Sequence, residues 1–351
     1  MKAIHAGLLA GLLVALLSVQ AGLAARGPYN DEPLEQGWAP SEFGPDDKVG
    51  AINRINPCTV MNAVRLVKKG RTAVLGKVYE PIMPTFGTRG WRMVIPGLPS
   101  VGPLGTNALL GNEELVIAEL GQIGTQFDGP GHIGIRTTKG DFYYNGRYLE
   151  DVAGSYSTGP LGVEHVAAKA YVCRGILLDA TAYRGVDMLP MPKGGRNDPG
   201  NITDDDLRGM VRKQGLREIG EADCVFVHTG WGNLWDPVSW DGLPAEERAK
   251  RIAIFRPGEP GLGISACRYL VERKIVLVGL DNWGIDSLPG EDPKRLYDCH
   301  AEMQTRHGIW GIENLQFVQL LAEKQYEFLF TWAALPMRGA TGSPANPVAI
   351  W

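Results

Sequence analysis

The run Ile275-Val-Leu-Val-Gly-Leu280 is almost continuously apolar and stops on Asp281. Such a strand has no polar face to offer water, so it belongs inside a sheet covered on both sides. Gly175-Ile-Leu-Leu-Asp179, residues 222–229 and Phe328-Leu-Phe-Thr-Trp-Ala333 read the same way, with shorter strands at 72–79, 115–118 and 309–312. Between them the spacing predicts helices over 57–69, 163–171, 265–272, 299–306 and 315–324. A further helix starts after Thr203, whose hydroxyl caps a first turn of Asp204, Asp205 and Asp206. Alternating helices and buried strands make an α/β fold. At 351 residues the chain could form one large domain or two.

Residues 26–57 are rich in Pro, Asp, Glu and Asn and read as an extended arm anchored by Trp38 and Phe43. The Pro- and Gly-rich stretches 81–105 and 235–263 read as a long loop and a lid or edge insertion. Ahead of the arm, Lys2, an apolar run from Ala6 to Val19 and the small residues Ala21, Gly22, Ala24 and Ala25 follow the pattern of a signal peptide. The run is short for a membrane span. The expectation is therefore an exported protein, periplasmic or secreted, with residues 1–25 outside the fold. A net charge of -4 gives no electrostatic case for nucleic acid. The five cysteines, Cys58, Cys173, Cys224, Cys267 and Cys299, contain no C-x-x-C pair. Export permits disulfides, while Cys173 and Cys224, beside apolar strands, read as buried thiols. Cys299 adjoins His300, but neighbouring side chains diverge on a helix or a strand, which argues against a Cys–His nucleophile.

Polar residues gather where apolar strands stop: Asp128, Asp179, His228 with Thr229, and Asp281. Sites in open α/β sheets form at such carboxyl ends. The densest case is Gln122-Ile-Gly-Thr-Gln-Phe-Asp-Gly-Pro-Gly-His132, in which glycines let the backbone approach a ligand. Asp128 and His132 there are oxygen and imidazole donors suited to a divalent metal. Tyr143, Tyr144 and Tyr148 form an aromatic patch just downstream.

These residues carry a resemblance. Residues 122–132 resemble the signature His-x-Gly-Thr-His-x-Asp-x-Pro-x-His of the cyclase superfamily that includes bacterial kynurenine formamidases and isatin hydrolases. Gly124, Thr125, Asp128, Pro130 and His132 match in register, while Gln122 and Gln126 stand where two histidines would be. Thr229-Gly-Trp231, Gly279-Leu-Asp281 through Asp286, and His300 with Gly308-Ile309 and Glu313-Asn314-Leu315 resemble later elements of the family in the same order. Asp46-Asp47, Gly50 and Asn53 resemble the entry segment of its longer branch.

The resemblance implies a swivelling β/α/β-type single domain with loop-rich insertions and a metal-dependent hydrolase activity. It makes Asp128, His300 and Glu313 metal ligands and His132 the group that moves protons. The two glutamines leave the family's first metal position without its imidazoles, so one divalent ion, Zn or Mn, is expected, with Gln126 as a fourth ligand. Gln122, Tyr143, Tyr144, Trp91 and Asp281 are candidate site-lining residues. The implied chemistry is hydrolysis of an amide or lactone bond in a small cyclic or aromatic substrate, with homo-oligomers common in the family. An exported binding protein or pseudoenzyme on the same fold is the alternative.

Overall fold

The computed structural model describes residues 28–154 and 157–351, so the expected signal segment lies outside the described residues. Nine strands form the main sheet: β1 (Thr72–Val74), β2 (Gln126–Asp128), β3 (Tyr171–Asp179), β4 (Cys224–His228), β5 (Leu277–Leu280), β6 (Trp310–Glu313), β7 (Glu327–Trp332), β8 (Gly342–Pro344) and β9 (Val348–Ile350). Their order is β1-β9-β7-β3-β4-β5-β6-β2-β8. The central strands β3, β4, β5 and β6 run parallel, and the strands on either flank pair antiparallel. Three of the apolar runs of the sequence are the parallel strands β3, β4 and β5, the fourth is the antiparallel β7, and every residue of β4, β5 and β6 is buried. Phe226 on β4 packs against Phe330, with ring centroids 4.8 Å apart, at the heart of this core.

The helices are α1 (Pro57–Val64), α2 (Asp204–Lys213), α3 (Ala245–Phe255) and α4 (Ile264–Glu272), with shorter turns between. The cap ahead of α2 is reciprocal: the Thr203 side chain accepts from the Asp206 backbone N–H, and the Asp206 carboxylate accepts from that of Thr203. The 315–324 segment is helical only over Val318–Ala322, and 163–171 only over Glu164–Ala167 before β3 begins. The arm carries a short helix, Glu32–Glu35, and a tighter turn, Gly50–Arg54. It is fastened to the body by Asn145, whose side chain accepts from Ser41 N and donates to Gly44 O.

Three local readings are corrected. Residues 81–105 are not one loop: Trp91–Val94 pairs with Leu115–Ala118, and Val101–Leu104 with Leu109–Gly111, in two antiparallel ribbons off the main sheet. The apolar run at 115 therefore does not feed the glycine stretch from within the core, and Gln126–Asp128 is itself the strand. The ribbons expose Met93, Val94, Leu109, Leu115 and Ile117, so the apolar run at 115–118 is a surface strand. Strands β8 and β9, of three residues each, are too short to show a period.

Cys173 and Cys224, read as thiols, are a disulfide between neighbouring strands β3 and β4, and Cys267–Cys299 ties α4 to the residue before His300. Cys58 is free and exposed. The bridges join residues 51 and 32 positions apart. Closing loops of that size in the unfolded chain is worth about 3–4 kcal/mol each in the chain-entropy account. A Cys267→Ala, Cys299→Ala variant should lose a stabilisation of that order in denaturant titration, and should stop responding to reductant at that site. An unchanged midpoint would mean the bond does not form in solution.

Candidate metal centre

Strands β2 and β6 pair antiparallel with Gln126 opposite Glu313. Cross-strand partners share a face, as do residues two apart. Gln126, Asp128 and Glu313 therefore project together, and Phe127 between them points the other way, against Tyr171 and Trp332. The third donor comes from the expected helix at 299–306, which is a π-helical turn spanning His300–Arg306. Such widened turns recur at functional sites, where they redirect side chains. His300 Nδ1 is held by Asp286 Oδ2 at 2.5 Å. This fixes the ring and aims Nε2 at Asp128 Oδ2, 3.4 Å away, and at Glu313 Oε1, 3.2 Å away. Ligand atoms of Asp128, His300 and Glu313 lie within 4.8 Å of one another, and all three residues are buried. Gln126 Nε2 donates to Glu313 Oε2 at 2.7 Å, and Gln304 Nε2 donates to Asp128 Oδ2 at 3.2 Å.

Whether these residues suit a cation can be judged from what they lack. Asp128 Oδ1 and Gln126 Oε1 are buried and accept no hydrogen bond, and Glu313 Oε1 has His300 Nε2 at 3.2 Å. Buried carboxylate oxygens without donors are costly unless a positive charge compensates them. Glu259, fully buried, lies close to Glu313, Asp286 and His300. Two carboxylates, one imidazole and an amide oxygen form a donor set that Zn and Mn both accept. The residues fit a divalent ion.

Proton affinities tell the same story. Burial opposes charge on His300, yet Asp286, Asp128 and Glu313 outweigh it and hold the imidazole well above its ordinary pKa. Burial and the neighbouring Asp128 push Glu313 up to about 7. Burial would also raise Asp128, but His132 and His300 outweigh it and hold that carboxyl below its usual range. The opposite shifts mean that a proton taken up by this pair goes to Glu313 rather than Asp128. Burial, with Glu313 and Asp286 nearby, keeps Glu259 neutral far above the usual carboxylate range. For His132, burial lowers the pKa and Asp128 offsets this only in part, leaving a neutral imidazole at neutral pH.

A metal must displace the protons on Glu313 and His300, so its affinity should rise as pH rises through about 7, with protons released on binding. Calorimetric titration with Zn or Mn in two buffers of different ionisation enthalpy measures both quantities. A dissociation constant that is flat across neutrality would contradict this reading of the site.

The centre opens into a cavity of about 170 Å³ whose walls include Phe86, Arg89, His132, Trp283 and Tyr297. Phe86 and Trp283 stack with centroids 4.5 Å apart. His132 Nε2 stands 3.8 Å from Asp128 Oδ1. Gln126, His132, His300 and Glu313 thus meet at one cavity, with Asp128 behind them.

The other candidates lie elsewhere. Tyr144 is buried in the core, edge-on to Trp310, with its hydroxyl donating to Asp47 under the arm. Tyr143 packs its ring on Gly134, and Trp91 packs against Tyr79 at the base of the ribbons. Gln122 turns its amide towards Gly342, although its backbone carbonyl accepts from Arg89 at 3.0 Å. Asp281 accepts from Thr229 N and Oγ1, each at 2.8 Å, in a network with His228 that holds the turn after β4. These are packing and turn-closing roles, which the sequence pattern does not distinguish from cavity lining. Glu259, Gln304, Phe86, Arg89, Trp283 and Tyr297 are the residues that the pattern missed. Glu259 and Phe86 sit in segments read as loops, and nothing in their local sequence marks them.

Among proteins of known family, the model described as "Putative cyclase" matches residues 73–287, more than half of the chain. The chain belongs to this cyclase family. The matched segment carries Gln126, Asp128 and His132, while His300 and Glu313 follow it. No curated protein matches the sequence. Among solved structures, this cyclase-family chain is similar to one titled as a novel cyclase, at 25% identity and TM-score 0.71, covering 88% of this chain and 96% of that one. Isatin hydrolase A from Labrenzia aggregata is similar at 20% identity and TM-score 0.52, over 80% of this chain and 93% of that one. Isatin hydrolase A from Ralstonia solanacearum is similar at 21% identity and TM-score 0.51, over 80% and 91%. The mixed α/β architecture is the fold of these cyclase-family neighbours.

Proposed function

We propose that this protein is a metal-dependent hydrolase of a small cyclic or aromatic amide or lactone. The observation that carries this reading is the convergence of Asp128, His300 and Glu313, with unpaired buried oxygens, on a cavity also walled by His132. Asp128, His300 and Glu313 would hold one Zn or Mn ion, with the Gln126 amide oxygen as fourth donor. A divalent ion there supplies Lewis acidity towards a carbonyl and makes a nearby water more acidic. Asp286 holds the His300 ring, and Gln304 and Gln126 hold the two carboxylates. His132, neutral and at the cavity wall, takes a proton from the attacking water through its free imidazole nitrogen and returns it to the leaving amine or alkoxide. The stacked Phe86 and Trp283 exclude water from one side and present flat apolar surfaces to a ring-shaped substrate. The isatin hydrolase neighbours support a cyclic amide as the first substrate to try.

The test is metal content of the purified protein by mass spectrometry, followed by a lactone and cyclic-amide panel with and without chelator. About one Zn or Mn per chain and chelator-sensitive turnover support the reading. A protein that takes up neither metal on reconstitution would instead be a binding protein on this fold. Export is part of the same proposal, supported by the two disulfides, which persist in oxidising compartments. Self-association is proposed from the exposed apolar ribbons, and light scattering of the full chain checks it.

A further inference from the structure

Arg89 lines the metal cavity and also a second, larger groove of about 370 Å³ beside it. That groove presents Arg89, Arg92, Arg248 and Arg256, and Glu80 is the one acidic side chain in its wall. Among the described residues, none of the four guanidinium groups makes an ion pair with a carboxylate. Their hydrogen bonds go to backbone carbonyls: Arg89 donates to Gln122 O at 3.0 Å and lies over the Phe86 ring at 5.6 Å, and Arg248 reaches Asp241 O at 3.4 Å, with Glu80 near enough to feel its charge. Elsewhere on this chain arginines find acids readily, as Arg174 does with Asp223 and Glu327, and Arg295 with Glu32 and Asp298. In a chain of net charge -4, four unpaired arginines along one groove are a concentrated positive field. Met83, Ile82, Trp91 and Ile252 supply apolar surface between them.

We propose that the substrate carries a carboxylate, that the arginine groove draws it in, and that Arg89 receives it at the mouth of the metal cavity. Arg89 sets its orientation, because it shares the wall of the metal cavity with His132, His300 and Glu313. With the anionic end held by that guanidinium, the uncharged carbonyl end is the one presented to the metal ligands and His132. The guanidinium offers nitrogens beyond the one committed to Gln122, enough for a paired contact with a carboxylate. The flat ring between the two ends lies along Phe86 and Trp283. This orientation rests on the hydrolase reading, but binding of an aromatic carboxylate through Arg89 does not.

The experiment separates the two. Benzoate and its neutral counterpart benzamide are titrated by calorimetry into the metal-loaded full chain, as wild type, R89Q, R89K and R256Q, with metal content and melting temperature measured on each. The expected result is benzoate binding that weakens by roughly tenfold or more in R89Q, is partly restored in R89K, and falls with added salt, while benzamide binding changes little. In R256Q, where no contact to the metal cavity is altered, benzoate should bind more weakly and with a shallower salt dependence. Benzoate that binds wild type and R89Q equally is held by the metal and not by Arg89, and overturns the proposal. So does a wild type that prefers benzamide or binds neither. If the lactone and amide panel shows no turnover, the hydrolase reading fails while an Arg89-dependent preference for benzoate still stands. If turnover is found but is equal for matched substrates with and without a carboxylate, the hydrolase reading stands and this inference falls.

Discussion

Replacing His300 by alanine should give a folded protein that no longer retains Zn or Mn and whose kcat/KM falls by on the order of a thousandfold or more, the several kcal/mol of Lewis-acid stabilisation that depend on the ion. The size of the effect follows from how the site is assembled. Asp128, Glu313 and Glu259 are buried acids, and among the described residues His300 Nε2 is the only imidazole nitrogen aimed at the first two from hydrogen-bonding range. Without it, two carboxylates and an amide remain, too few donors to hold a tetrahedral ion against water. Asp286→Asn provides the graded control. It keeps the ligand but weakens the 2.5 Å contact that orients it, so metal affinity should fall by about 10–100-fold with the fold intact. Metal analysis and turnover on the same preparations check both. Full activity in His300→Ala would remove the metal centre from the mechanism altogether.

The same pair of variants shows why part of this site could be read from the chain and part could not. Asp128 and His132 lie in an eleven-residue stretch whose glycines and donors announce a site locally. His300 and Glu313 are separated from it by more than 160 positions, and only the antiparallel register of β2 against β6 brings Glu313 opposite Gln126. Residue spacing carries no such information, so a family pattern had to supply it. The central parallel strands were legible because each is apolar on both faces, a signal that survives without knowledge of neighbours. The ribbons at 91–118 escaped it, since Pro and Gly make 81–105 read as a loop and the apolar run at 115–118 carries no sign that its strand is exposed. The disulfides were hidden for a related reason: Cys173 and Cys224 come together because β3 and β4 are neighbours, and strand order is not written in cysteine spacing. Glu259 is the clearest case. It follows Pro257-Gly258, reads as a turn residue, and joins the buried carboxyl groups near the metal centre only because its backbone pairs with Leu288.

His132→Gln should behave in the opposite way to His300→Ala: metal content near one per chain, a melting temperature within a few degrees of wild type, and kcat lower by about 10²–10⁴-fold. His132 contributes no ligand to the cluster, and its Nε2 is 3.8 Å from Asp128 Oδ1, close enough to share its field but too far for a firm hydrogen bond. Its imidazole is therefore free to accept a proton, and burial keeps it neutral by lowering its pKa. The sign of the pH dependence follows. A base that works in the neutral form loses activity as pH falls through its pKa, so with saturating metal the acid limb of kcat/KM should lie below the ordinary histidine value of about 6.5. In His132→Gln that limb should vanish, leaving a low and flat profile over the same range. A variant that kept more than a tenth of wild-type turnover with the acid limb in place would show that another group carries the proton. Among the described residues Tyr297 is the next to examine, because its ring stands edge-on to His300 with centroids 5.5 Å apart and it shares the cavity wall. Burial raises the Tyr297 phenol pKa, so it can donate a proton but is a poor base at neutral pH. A shift of the lost limb to the alkaline side would therefore distinguish the two residues in a single pH profile.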